Sequence, residues 1–198
     1  VYKRQLALSL DLIRRAAADR DSVIIDVGGG ESTLVDDLLA DGYRHVDVLD
    51  LSRTAVEVTR TRLGAGGSEV VWRVGDVTTI ALPPHRYDVW HDRAVFHFLT
   101  DPNDRRKYVD LVTRTLRIGG HVIIGTFAID GPLKCSGLEV CRYDADTLSR
   151  ELGPQFKLVR ALSYTHLTPT SKPQQFFFGL FELLPPSVVS TIAPAALA

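Results

Sequence analysis

The sequence predicts an α/β protein built on a mostly parallel sheet, and three observations carry that prediction. Short apolar runs alternate with amphipathic stretches of about 10–15 residues along most of the chain. Several apolar runs end in glycine or an acid, the mark of strand ends rather than helix interiors. The last two runs, "FKLVRALSYTHL" and "QQFFFGLFELL", are joined by "TPTSKP", which is too short to hold a crossover helix. They must pair antiparallel. The strand from Gln174 is apolar enough to be buried on both faces, which puts it between the strands at His121 and Phe156.

The elements follow in order. "QLALSLDLIRRAA" carries Leu6, Leu10, Ile13 and Ala17 at helical spacing. "SVIIDV" is a buried strand, and "STLVDDLLADG" a helix closed by Gly42. "HVDVLDL" is a strand, and "SRTAVEVTRTRLG" a helix with Ser52 as N-cap. "EVVWRVGD" and "YDVWHD" are the third and fourth strands. "DPNDRRKYVDLVTRTLRIGG" reads as a helix with Pro102 in its first turn and Gly119–Gly120 after its end. "HVIIGTFA" is the fifth strand, and "DADTLSRELG" the helix before the terminal hairpin.

Composition narrows the function. The chain has 198 residues, 45% hydrophobic and 24% charged, with a formal net charge of −1. That length suits one domain, taken as residues 1–184, with a Pro/Ala-rich tail over 185–198 that is expected to be poorly ordered. The charge balance offers no footprint for nucleic acid or an acidic membrane surface. No apolar run approaches the roughly 20 residues of a membrane span. The absence of methionine leaves no initiator, and a segment missing before Val1 is the expectation. Cys135 and Cys141 make no disulfide framework and lack zinc-ligand spacing, so a reducing cytoplasm is the expected setting.

In an open α/β sheet, ligands bind outside the carboxyl ends of the strands. The first strand ends in "DVGGGES", with Asp26 followed by Gly28, Gly29 and Gly30, where the backbone can turn tightly against a ligand. The second ends at Asp50, whose carboxylate can accept from two ribose hydroxyls. The third ends in Gly75–Asp76–Val77, an acid for an adenine amino group with a backbone N–H for the ring. Three acids in series suit a nucleoside joined to a cationic group. A pyrophosphate prefers helix N-terminal N–H groups without extra carboxylates, and the dinucleotide fingerprint needs glycine where this chain has Thr33.

"VIIDVGGGES", "VDVLDLS", "VGDV" and "LRIGGHVIIGTF" resemble the successive motifs of class I S-adenosylmethionine-dependent methyltransferases. The likeness runs from about Ser22 to Glu182, with Ser32 where the first motif often has another glycine. It implies a Rossmann-like, doubly wound seven-stranded sheet, mostly parallel with one antiparallel strand near the C-terminal edge. It also implies S-adenosylmethionine as cofactor. Asp26 and Gly28–Gly30 would hold the methionine portion, Asp50 the ribose, Leu51 one face of the adenine, and Asp76 with Val77 its edge.

The fourth strand runs into "WHDRAVFHFL". By the resemblance, His91, Asp92 and Arg93 fall beside the transferable methyl group or the methionine portion. His91 is the first candidate for a general base, Asp92 for orienting it or attracting a cationic acceptor, and Trp90 or Phe96 for steadying positive charge. The plainer alternative is an Asp92–Arg93 pair that shapes the loop, with His97 as a satisfied core histidine. The spacing of His91, Asp92 and His97 fits no metal motif. "DRAVF" partly resembles a stretch of protein-lysine methyltransferases, with Ala94 for its glycine, Val95 for its threonine and His97 for its final acid. The long segment "AIDGPLKCSGLEVCRYD" is expected to wall the acceptor pocket, with Arg142 and Tyr143 as contacts. The acceptor is expected to be an N, O or S nucleophile of a small molecule or a protein side chain. A protein-lysine methyltransferase specifically is the first alternative, and a nicotinamide-dependent oxidoreductase or a non-catalytic nucleoside-binding module the further ones.

Overall fold

A computed structural model describes residues 2–167 and 173–188. The linker residues 168–172 and most of the expected tail, 189–198, lie outside the described residues. The sheet is seven-stranded. Its strands are β1 (Val23–Val27), β2 (His45–Asp50), β3 (Val71–Val74), β4 (Tyr87–Arg93), β5 (Leu116–Phe127), β8 (Phe156–Leu167) and β9 (Pro173–Leu183), in the order β3-β2-β1-β4-β5-β9-β8. Strands β1 to β5 run parallel, and β9 pairs antiparallel with both β5 and β8. The strand from Gln174 therefore lies where its double-sided apolar character requires. Two short strands in the segment after β5, β6 (Lys134–Cys135) and β7 (Leu138–Glu139), form a separate hairpin that the sequence reading leaves as loop.

Helices α1 (Tyr2–Ala16), α2 (Leu34–Ala40) and α3 (Arg53–Leu63) lie on one face, and α4 (Pro102–Thr115) and α5 (Ala145–Leu152) on the other. The apolar stripe of α1 buries Leu6, Leu10, Ile13 and Ala17, as its spacing requires. Caps fix the entry of three helices. Ser52 Oγ accepts from the Ala55 N–H, Asp101 from the Asn103 N–H, and Asp144 exchanges a capping box with Thr147. The last turn expected of α4 is not helical. Leu116 pairs with Tyr87 and His121 with Val89, so Asp88 faces an outward bulge from Arg117 to Gly120. Gly119 has φ 78°, and a Cβ on Gly120 would come within 2.8 Å of the Arg117 carbonyl oxygen. These glycines therefore serve a strand bulge rather than a helix end.

No helix among the described residues is long and apolar enough to cross a membrane. Cores form on both faces, one around Trp90, Tyr108, Val122 and Leu148, the other around Ile13, Ile24, Val89 and Ile123. Between them the sheet carries its C-terminal strand ends to one rim.

Candidate active site

A cavity of about 700 Å³ opens on that rim. Its floor is where the chain passes from strand to turn. The Gly28 N–H donates to the Leu49 carbonyl at 2.7 Å, and the Gly75 N–H to the Asp50 carbonyl at 3.0 Å. The turn after β1 folds so closely that side chains are excluded. A Cβ on Gly28, at φ 73°, would clash with Val95 Cγ2, and one on Gly30 would meet Asp50 Oδ2 at 2.7 Å. The Thr59 hydroxyl donates to the Gly30 carbonyl at 2.6 Å, tying the turn to α3.

Gly28, Asp50, Leu51, Asp76, Val77 and Arg93 line the cavity. Asp50 is partly exposed and accepts from the Ser52 N–H through Oδ1. Leu51 is 73% exposed, with its side chain on the cavity wall. The Thr78 N–H and hydroxyl both donate to Asp76 Oδ1 at 2.7 Å and hold its carboxyl below the usual range. Two hydrogen-bond-accepting carboxylates and two apolar side chains thus line one cavity at the ends of β2 and β3. The volume is also in the range of small-ligand sites.

The residues at the end of β4 divide differently from the sequence reading. Of His91, Asp92 and Arg93, Arg93 lines the cavity, whereas His91 and Asp92 are fully buried. His91 sits opposite Asp26 in the β1–β4 register, and its Nδ1 lies 2.7 Å from Asp26 Oδ1. The expected His91 base facing the crevice is therefore corrected: a neighbouring-strand carboxylate draws the ring into the sheet layer. Asp26, expected to touch the ligand directly, is likewise only 3% exposed and does not line the cavity. Its Oδ2 lies 2.7 Å from where a Gly29 Cβ would be, so it supports the glycine turn from beneath. Gly29 and Gly30 shape that turn without lining the cavity.

Asp92 is occupied by loop construction. Its Oδ1 accepts the Val95 N–H at 2.9 Å, its Oδ2 the Phe96 N–H at 3.1 Å and the Tyr108 hydroxyl at 2.7 Å. Tyr108 in turn accepts from Trp90 Nε1 at 2.9 Å. Burial pushes the Asp92 carboxyl up to about 6 against the opposing pull of these donors. The plainer role, shaping the loop, thus falls to Asp92 acting through Tyr108 and two backbone amides. The loop so fixed includes Ala94 at φ 68°, in the position where the lysine-methyltransferase stretch has glycine. Trp90 and Phe96 are fully buried in the core and offer no face to the cavity.

Val95, Phe98, Leu99 and Thr100 after β4 and Asp104 of α4, which sequence reasoning missed, complete the wall, together with Leu138 and Glu139 of the hairpin, which lie in the segment expected to supply it. Arg142 and Tyr143, the expected contacts from that segment, do not line it. The Arg142 guanidinium donates to the Gly131 carbonyl, and Tyr143 packs against Phe96 in the core. Cys135 and Cys141 are free thiols, both partly exposed. His97 is fully buried, and neither ring nitrogen has a hydrogen-bond partner among the described residues, so it is not a satisfied core histidine.

Residues 24–120, about half of the chain, match the family described as "Methyltransferase domain". No curated protein sequence matches the chain. Among solved structures, the fold is similar to N-methyltransferase NodS from Bradyrhizobium japonicum WM9, with TM-score 0.76 and 17% identity over 93% of this chain and 97% of that one. NodS has also been solved in complex with S-adenosyl-L-homocysteine, with TM-score 0.73 and 16% identity over 91% and 86% of the two chains. A further neighbour is the 1,6-didemethyltoxoflavin-N1-methyltransferase of Burkholderia thailandensis, with TM-score 0.70 and 20% identity over 89% and 76%. The family match lends nothing to the oxidoreductase and nucleoside-module alternatives. With its motifs, strand order and rim cavity in agreement with that match, the chain belongs to the class I S-adenosylmethionine-dependent methyltransferases.

Proposed function

We propose that the chain moves the methyl group of S-adenosylmethionine to an N, O or S nucleophile of a small molecule, with the donor held in the rim cavity. The observation that carries this reading is the pairing of Asp50 with Leu51 and of Asp76 with Val77 at adjoining strand ends of one cavity. When bound, the donor supplies an already activated sulfonium methyl. The protein's task is then alignment and exclusion of water. Asp50 accepts the ribose hydroxyls, Leu51 and Val77 enclose the adenine, and Asp76 takes its amino group. Gly28 brings backbone close to the methionine portion. Asp26 and His91, paired beneath, hold the Gly28–Gly30 turn, and Asp92 holds the loop carrying Arg93 and Val95. His91 and Asp92 are thus positioning residues, and Arg93 meets donor or acceptor.

A small-molecule acceptor is supported by the neighbour solved with bound 1,6-didemethyltoxoflavin and S-adenosylhomocysteine. Two free thiols support a cytoplasmic setting, and residues 1–184 act as one domain in this reading. Calorimetric titration with S-adenosylhomocysteine is the test. Asp50→Ala removes charge-assisted hydrogen bonds of about 1.5–3 kcal/mol each, so affinity falls at least tenfold. Unchanged affinity in the variant, or tighter binding of a nicotinamide dinucleotide by the wild type, overturns the reading.

A further inference from the structure

One guanidinium holds the cavity wall that follows β4, and a thiol shares it. Arg105 Nη1 donates to the Leu99 carbonyl at 2.9 Å and to the Thr100 carbonyl at 3.0 Å, and Leu99 and Thr100 both line the cavity. The same nitrogen lies 3.7 Å from Cys141 Sγ, while Arg105 Nε is taken by Glu151 Oε2 at 3.0 Å. Cys141 is tied to that wall in two further ways. Its backbone N–H donates to the His97 carbonyl at 2.8 Å, and its thiol donates weakly to the Leu99 carbonyl at 3.9 Å.

A second donor stands beside the thiol. Tyr143 is 3% exposed, and its hydroxyl has no hydrogen-bond partner among the described residues. Such a buried exception is rare, and it leaves an O–H in want of an acceptor. Burial first, and then the adjacent Cys141 sulfur, hold the phenol above its ordinary value, so it keeps its proton. A guanidinium N–H and a phenol O–H therefore meet at one sulfur, which as a thiol accepts only weakly. An oxygen carried by that sulfur accepts well from both. The Cys141 side chain is partly exposed, so a small oxidant reaches it. Cys135 is also partly exposed, but no side chain bonds its thiol among the described residues.

We propose that Cys141 is a site of reversible oxidation by hydrogen peroxide, and that the added oxygen draws Arg105 and Tyr143 toward itself and loosens the Leu99–Thr100 wall of the cavity. The thiol gives its proton to water, and the thiolate sulfur attacks one peroxide oxygen. An S–O bond forms as the O–O bond breaks. Hydroxide leaves and takes up the released proton as water. Sulfur is oxidised by two electrons, the peroxide is reduced, and Cys141 becomes a sulfenic acid. Its S–H bond to the Leu99 carbonyl is gone, and Arg105 Nη1 gains an acceptor that competes with both wall carbonyls. Two equivalents of a thiol reductant return the cysteine, leaving as their disulfide with one water.

The test exposes the full chain to hydrogen peroxide, then to dimedone, which captures sulfenic acids, and maps the adduct by mass spectrometry. Capture is expected on Cys141 at about five times the level on Cys135 or more. Tyr143→Phe removes a hydroxyl without a partner, so its Tm should not fall, yet capture at Cys141 should drop about fivefold at equal exposure. Calorimetric titration should show affinity for S-adenosylhomocysteine falling about fivefold after peroxide and recovering with dithiothreitol. Cys135→Ser should keep that response and Cys141→Ser should lose it. Capture on Cys135 equal to that on Cys141, undiminished capture in Tyr143→Phe, or an affinity untouched by oxidation overturns the proposal. The affinity readout rests on the methyltransferase reading. Failure of S-adenosylhomocysteine to bind the reduced wild type overturns that reading instead, and the dimedone map still decides the role of Cys141.

Discussion

Removing one hydroxyl, in Tyr108→Phe, should unpick the loop beside the cavity in a pH-dependent way. That oxygen donates to Asp92 Oδ2 at 2.7 Å and accepts from Trp90 Nε1 at 2.9 Å, and all three residues are fully buried. The variant removes a charge-assisted hydrogen bond from Asp92 Oδ2, which keeps only the Phe96 N–H, at roughly 1.5–3 kcal/mol, and strands an indole N–H, at roughly 1–2 kcal/mol. The sum is about 2.5–5 kcal/mol, a large share of a typical domain's stability. The Asp92 carboxyl sits at about 6 in the folded protein against 3.8 when unperturbed. A raised folded value means that folded and unfolded chains are both protonated at low pH, and that the folded chain alone keeps the proton in between. The buried charge therefore costs stability progressively as pH rises from about 4 through 6, and the full cost, roughly 3 kcal/mol, persists above. Tyr108 opposes that shift, so its loss moves the carboxyl higher still. Urea denaturation at pH 5, 6, 7 and 8 should show the gap between variant and wild type widening with pH. A gap of constant size across that range would refute Asp92 as the titrating group, and a gap under about 1 kcal/mol would refute the network itself.

Ala94→Gly should stabilise the chain by about 1 kcal/mol, because φ 68° suits glycine and strains alanine, less the backbone entropy that glycine loses; a Tm at or below the wild-type value contradicts this. His91→Ala leaves the Asp26 carboxylate buried without its partner and should cost about 3 kcal/mol, while His91→Asn, which still offers an N–H, should recover part of the loss. Thermal melts and turnover read together decide that case. A variant of normal stability that loses turnover more than a hundredfold would restore His91 as the acceptor's base.

Strand order and element type were legible because they follow from period and linker length. The same apolar pattern that makes "QFFFGLF" a strand also makes it an interior one, and β9 lies there. The end of α4 was not legible. Gly119–Gly120 is a valid helix stop read locally, but pairing of Leu116 with Tyr87 decides the matter, and that contact spans distant residues. The β6–β7 hairpin pairs only Lys134 with Glu139 and Cys135 with Leu138, too short for any periodicity to register. In the site, residue types at strand ends marked Asp50, Leu51, Asp76 and Val77. Charge at the end of β4 was equally visible, but its destination depended on register. A shift of one position would have turned His91 away from Asp26 and toward the opposite face. The partner of Asp92 comes from the middle of the next helix, where nothing in the spacing announces Tyr108.

The interior placement of β9 orders events during synthesis. Strand β8 emerges from the ribosome before β9, yet it occupies the sheet edge and is joined to the sheet only through β9. Strands β1 to β5 can assemble early, with α1 to α4 already made, but the far side of β5 then stays an open edge carrying Val122, Ile123, Ile124 and Phe127. For that interval the nascent chain is at its most adhesive, and a chaperone or a second nascent chain competes for the position that β9 will take. A ribosome stalled between the two strands would leave β8 with no place to dock. The parallel half and its ligand rim would be formed while the sheet remained unsealed.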